Sequence, residues 1–254
     1  MPQTFEAETT CYVLMGASNL ARGQYAISRA LQKQGASTQI EFLYALGPGR
    51  GYCAKGGFLN VRYSPIHECG ILSAVEGRAK SGNVRIAALL MDIGNDIMYG
   101  FTGDEIASRL KQMIDRLKKL NVRVWIAPIQ VDMENDVDEK TFLLLRKVFF
   151  PNSSITYEQA GRAVKSINLE MQGLDGEQVS LIHGLNKFCG IDKIHYQLWS
   201  GDLVWTRIAQ CLAFENTAAV KANKIDAALS LGYNLFQRCF HDILAVKGNR
   251  SDLF

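Results

Sequence analysis

Apolar positions along the 254-residue chain fall into two kinds of stretch that alternate. Short, mostly apolar runs rich in β-branched and aromatic residues occupy Cys11–Met15, Gln39–Ala45, Val84–Asp92, Val122–Pro128 and Gln178–His183. Between them, apolar residues recur at the spacing of one helical face near Asn19–Gln34, Ile66–Lys80, Asp104–Leu120 and Tyr157–Met171. Thr102 and Glu105 frame the start of the third helix as a capping box. The pattern predicts β-α-β-α-β-α-β-α-β. Strands apolar on both faces and joined through helices form parallel sheets covered on both sides, with right-handed crossovers. The expected fold class is therefore α/β, three-layer α/β/α around a central, mostly parallel five-stranded sheet.

Two segments stand outside that alternation. About fifty residues separate the fourth and fifth strands, and connections this long usually carry function. They hold a helical pattern near Val137–Val148, a Pro151-Asn-Ser-Ser154 break and the Tyr157 helix. Phe149, Phe150 and Tyr157 read as the core of a helical insert, and no site role is assigned to them. After a helix near Asp202–Phe214, a C-terminal extension over about residues 215–247 places Ile225, Leu229, Phe236, Phe240 and Leu244 at near-helical spacing. That stripe suits packing on the outer layer or self-association into a homo-oligomer. With no internal repeat and no low-complexity linker, residues 1–254 are expected to form a single domain with its core at about 11–214.

Composition narrows the picture by exclusion. Lys plus Arg number 28 against 25 Asp plus Glu, and a net charge of +3 without long runs is too weak a field to draw nucleic acid. No apolar run approaches the roughly 20 residues that a membrane span needs, and Ile86–Met91 is interrupted by Asp92. The first ten residues have neither a basic leader nor an apolar stretch, so the cytoplasm is the expected compartment. Cys11, Cys53, Cys69, Cys189, Cys211 and Cys239 lie far apart without CxxC spacing. Free thiols and no metal site are expected.

In parallel sheets ligands bind beyond the carboxyl ends of the strands. The residues there read Gly16-Ala-Ser18-Asn-Leu20, Gly47-Pro-Gly-Arg-Gly51, Gly94-Asn95-Asp96, Pro128-Ile-Gln130 and His183-Gly-Leu-Asn186, followed shortly by Asp192-Lys-Ile-His195. A serine hydroxyl becomes a nucleophile when an imidazole takes its proton, and a carboxylate fixes the tautomer of that imidazole. Ser18, His195 and Asp192 are the residues for these roles. Ser18 sits where a strand turns into a helix, which exposes its hydroxyl and aims its N–H at an anion formed there. Asp192, three residues before His195, delivers base and orienter from one loop. An oxyanion needs two or three preorganised donors. Gly47 could offer its N–H and Asn95 its side-chain amide, while Asp96 reads as a turn cap and is excluded.

These blocks resemble the SGNH, or GDSL-like, serine hydrolases, whose four separated blocks occur in this order, and the resemblance covers most of residues 11–214. Gly16-Ala-Ser18-Asn-Leu20 is similar to the nucleophile block, the Gly47 region to the block with the oxyanion glycine, Gly94-Asn95-Asp96 to the third and Asp192-Lys-Ile-His195 to the last. The resemblance implies a flavodoxin-like fold and hydrolysis of carboxylic esters or thioesters of a small molecule or carbohydrate, without cofactor or metal. An acyltransferase, or a silent member using its cleft for binding, are the alternatives. The first block has Ala17 where many members carry a carboxylate, and the third has Ile93 where a glycine is usual. Gly47, Gly49 and Gly51 are alternatives for one role; Gly47 directly follows the strand.

The remaining chemistry-bearing residues have simpler readings. The glycine-rich loop matches neither GxxxxGK[ST] nor GxGxxG. Arg50 and Lys55 read as solvated loop charges, with an anionic substrate group as the sharper alternative. Cys53 and Cys189 read as structural, as do His67, His183 and His241.

Overall fold

The computed structural model describes residues 9–33, 39–57, 61–215 and 220–238. Five strands, β1 (Thr9–Met15), β2 (Gln39–Ala45), β3 (Val84–Leu90), β4 (Arg123–Ile126) and β5 (Val179–Leu181), form one sheet in the order β2-β1-β3-β4-β5. Every pairing is parallel. This strand order is that of the flavodoxin-like doubly wound fold. The chain leaves β1 toward β2 on one side and returns to β3 on the other, so a crevice opens at the carboxyl ends of β1 and β3.

Successive residues of β1 and β3 point to opposite faces, and each face finds its own helices. Cys11, Val13, Met15, Ala88 and Leu90 pack in one cluster with α2 (Ile71–Lys80), α4 (Gly103–Lys119) and α6 (Tyr157–Gln172). Tyr12, Leu14, Ala87 and Leu89 pack in the other with α1 (Ser18–Gln32) and α7 (Gly201–Leu212). The three layers follow from this alternation. Helix ends obey local chemistry: Thr102 and Glu105 close the capping box of α4, Thr156 and Gln159 close a second one at α6, and Asp138 caps α5 (Glu139–Phe149).

Two expectations are corrected. The helix expected from Ile66 begins only at Ile71, because the N–H groups of Ile66 and His67 are taken by the carbonyls of Gly51 and Tyr52 and Gly70 turns the chain at φ 88°. In the C-terminal helix α8 (Lys224–Arg238), Ile225 and Leu229 of the apolar stripe face outward at 71% and 54% exposure, beside the exposed Tyr233. The helix packs on α1 through small and polar residues instead. Ser230 Oγ accepts the Tyr25 N–H at 3.2 Å, and the buried Asp226 binds Asn223 and lies 3.8 Å from Lys33 Nζ. The Phe236 side chain, Phe240 and Leu244 lie outside the described residues.

Among the described residues, no helix is long and apolar enough to cross a membrane, and no group of three His, Cys, Asp or Glu could hold a metal.

Candidate active site

Ser18 is the first residue of α1, directly beyond the carboxyl end of β1. Its turn is held from outside by Asp92, the second residue after β3. One Asp92 oxygen accepts the N–H groups of Ala17 (2.9 Å) and Leu20 (3.1 Å), and the other accepts Asn19 Nδ2 (3.0 Å). A carboxylate here favours the positive end of the α1 dipole and occupies donors on either side of Ser18. Asp92 pays for that reach with φ 60°, the left-handed region that non-glycine residues rarely adopt. Asn19 ties the nucleophile turn to the distant loop, donating also to the Ile194 carbonyl and accepting the Tyr196 N–H, each at 3.0 Å.

That loop brings the base into place. His195 Nε2 lies 3.0 Å from Ser18 Oγ, and His195 Nδ1 lies 2.7 Å from Asp192 Oδ2. The other Asp192 oxygen accepts the N–H groups of His195 (2.9 Å) and Ile194 (3.1 Å). Partial burial works to raise the Asp192 pKa. The imidazole N–H, the two backbone donors and the attraction of the imidazole outweigh it, and the pKa falls from 3.8 to about 2. Asp192 is thus ionised at neutral pH. Its charge fits the tautomer with the proton on Nδ1, which leaves Nε2 free to accept the Ser18 proton.

Asn95 opens the short helix α3 (Asn95–Met98) beyond β3, and it lines the same cavity as Ser18 and His195. Its Nδ2 donates to the Arg50 carbonyl at 3.0 Å, which fixes the amide plane and leaves its second hydrogen for another acceptor. Gly47 does not reach the cavity wall. A Cβ on Gly47 would lie 2.6 Å from the Tyr63 ring, so the residue is packed under that ring, and Pro48 and Gly49 form the wall in its place. Gly49, at φ 70°, has the Gly57 carbonyl only 2.5 Å from where a Cβ would stand. This close crossing of two backbones requires glycine.

Other sequence readings change here. Asp96 is more than a turn cap. Fully buried, it accepts the N–H groups of Tyr52 (2.6 Å), Cys53 (2.9 Å) and Ala54 (2.8 Å), and so holds the glycine-rich loop against α3. Burial raises its pKa, an effect that the three donors oppose. Replacing Asp96 with alanine strands three buried N–H groups, and a loss of about 3 kcal/mol is expected in urea unfolding. Arg50 is neither a solvated charge nor a substrate contact. It is 1% exposed and donates to the Leu46 and Ser64 carbonyls at 3.2 and 3.0 Å, clamping the loop from within. Burial pushes the Cys53 thiol up to about 12 and the Cys189 thiol to about 11, so neither is a thiolate at neutral pH. Phe149 and Phe150, expected as core, line the cavity, and the Phe149 ring stands edge-on to His195 at 5.7 Å.

Asp92 and Asn19 were not singled out in the sequence as site-building residues, whereas Gly49 stood there as an alternative to Gly47. Position after a strand end was the available signal for each.

No protein-family model and no curated protein matches the sequence. Among solved structures, the chain is similar to TesA, at 13% identity over 78% of this chain and 95% of that one, with a TM-score of 0.45. It is similar to the psychrotrophic esterase EstA from Pseudoalteromonas sp., at 11% identity over 78% and 93% of the two chains, with a TM-score of 0.46. A carbohydrate esterase family 3 from Talaromyces cellulolyticus is similar at 13% identity over 80% and 96%, with a TM-score of 0.41.

Proposed function

We propose that the protein is a serine hydrolase of the SGNH, or GDSL-like, kind that cleaves carboxylic esters through an acyl-enzyme intermediate. The observation that carries this reading is the unbroken relay from Ser18 Oγ through His195 to Asp192, opening on a cavity that Asn95 also lines. Ser18 Oγ attacks the acyl carbon while His195 Nε2 takes its proton. The tetrahedral intermediate collapses with cleavage of the bond to the alcohol oxygen, and His195 returns the proton to that leaving group. Water then enters by the same steps in reverse roles, releasing the acid and restoring Ser18. Asp192 keeps its charge throughout and stabilises the imidazolium.

The oxyanion is held by the Ser18 N–H, the free amide hydrogen of Asn95 and, in place of Gly47, the N–H of Gly49. Asn95→Ala is expected to lower kcat by about 10²–10³-fold, the usual cost of one such donor. Steady-state turnover of an activated ester measures it; a change below threefold would remove Asn95 from the role. Alkylation-prone chemistry at cysteine is disfavoured by the raised thiol pKa values. The free thiols of the described cysteines fit the reducing cytoplasm, which we take as the compartment.

Labelling with a fluorophosphonate, followed by peptide mass spectrometry, tests the reading. One adduct on Ser18 that disappears in His195→Ala is expected. A folded protein with no adduct on any serine and no turnover of activated esters would leave the cleft a binding role only.

A further inference from the structure

The Ser18 relay opens into a cavity of about 430 Å³, within the range of small-molecule sites. Its course is set by the long connection between β4 and β5. Helix α5 contributes Phe142, Leu145 and Phe149 to the lining, α3 contributes Ile97 and Met98, and α6 contributes Ala160 and Val164. Phe142, Ala160 and Val164 are only 7%, 2% and 8% exposed, so the cavity runs from the relay into the apolar core.

Several polar side chains in this wall are tied to protein groups, which turns part of their hydrogen-bonding capacity away from the cavity. Gln130 donates to the Pro128 carbonyl at 2.6 Å and accepts the Leu185 N–H at 3.2 Å, while Arg146 donates to the Ile155 carbonyl at 2.5 Å. Lys193 pairs with Asp136 at 3.5 Å. A sugar hydroxyl set against the apolar stretch formed by Ile97, Met98, Phe142, Leu145, Phe149 and Val164 would lose its water without a partner, a cost of roughly 1–3 kcal/mol for each unpaired group. A hydrocarbon chain loses nothing of the kind and gains from burial.

We propose that this cavity is the acyl-chain pocket, and that the natural substrate is an ester of a medium- or long-chain aliphatic acid. The proposal rests on the esterase reading and assigns the chain to the acyl side of the scissile bond. Each methylene buried in the cavity then multiplies kcat/KM by about fourfold. Ala160 is a small residue of this wall, so a larger side chain there would take up cavity volume.

The experiment measures kcat/KM of the full chain on p-nitrophenyl acetate, butyrate, hexanoate and octanoate, with ethyl and octyl acetate as a second pair. A rise of tenfold or more from acetate to octanoate is expected, with no comparable gain from octyl over ethyl acetate. In Ala160→Phe the octanoate-to-acetate ratio is expected to fall by at least tenfold while Ser18 still takes the fluorophosphonate. Ile129→Trp, which narrows the cavity from the loop after β4, serves if Ala160→Phe does not fold. Hydrolysis with a flat or falling acyl profile, a gain that follows the alcohol chain, or a ratio unmoved in a labelled variant overturns the pocket assignment and leaves the esterase reading intact. Absence of both hydrolysis and adduct removes the esterase reading and the assignment with it.

Discussion

Alanine at Ser18 is expected to lower kcat for ester hydrolysis by about 10⁶-fold, with alanine at His195 nearly as costly and the double variant little worse than either. The near-equality is the diagnostic part. Ser18 Oγ and His195 Nε2 lie 3.0 Å apart, and under the proposed mechanism they act as one device, so removing either member leaves the other without work to do. What remains in each variant is the rate supplied by oxyanion donors and substrate binding alone. The hydroxyl of Ser18 is not a structural tie: Asp92 and Asn19 hold its turn through neighbouring groups. Ser18→Ala should therefore melt close to the native protein. Stopped assays and single-turnover kinetics on p-nitrophenyl esters measure the rate. Losses of tenfold or less, or effects that multiply in the double variant, would mean that the two residues do not act as a unit.

Asp192→Asn is expected to lower kcat by about 10⁴-fold with little change in KM. An amide has two poor options. Turned so that its NH₂ faces His195, it forces the proton onto Nε2, where it blocks transfer from Ser18. Turned the other way, the NH₂ meets the N–H groups of Ile194 and His195 that the carboxylate accepts in the native loop. The substitution also has a thermodynamic signature. Because the Asp192 pKa falls from 3.8 to about 2 on folding, the charged form favours the native state above the unfolded value. That contribution, on the order of 2 kcal/mol, is complete above about pH 5 and is lost as pH falls through about 2. Urea midpoints of native protein and variant should thus converge in acid and separate at neutral pH. A gap that does not depend on pH would assign the loss to loop packing rather than charge.

The alternation of apolar runs was enough to name five strands in the right places, because a strand buried on both faces must be apolar at nearly every position. The three-layer class followed from the helical crossovers between them. Ser18, Asn95, Asp192 and His195 were legible for a related reason: a doubly wound sheet brings its strand ends together, so residues after separate strands share one crevice. Asp192 and His195 further belong to one loop and need no tertiary information to pair.

Other features depend on contacts between segments far apart in the chain. Asp92 was visible only as a break in an apolar run, yet its carboxylate reaches α1 across 72 to 75 residues of sequence. Arg50 and Asp96 carry charges that composition assigns to the surface, and both are buried because backbone groups of other loops surround them. Gly47 is packed under the Tyr63 ring, a contact that its place after β2 does not reveal. Periodicity tells which residues of α5 and α8 could form an apolar face, not what that face meets. In α5 it meets a cavity; in α8 it meets solvent. Local spacing thus determined the layers and the candidate groups at the strand ends, whereas long-range packing decided which charges are buried, which glycines are packed tight and which residues line the cavity.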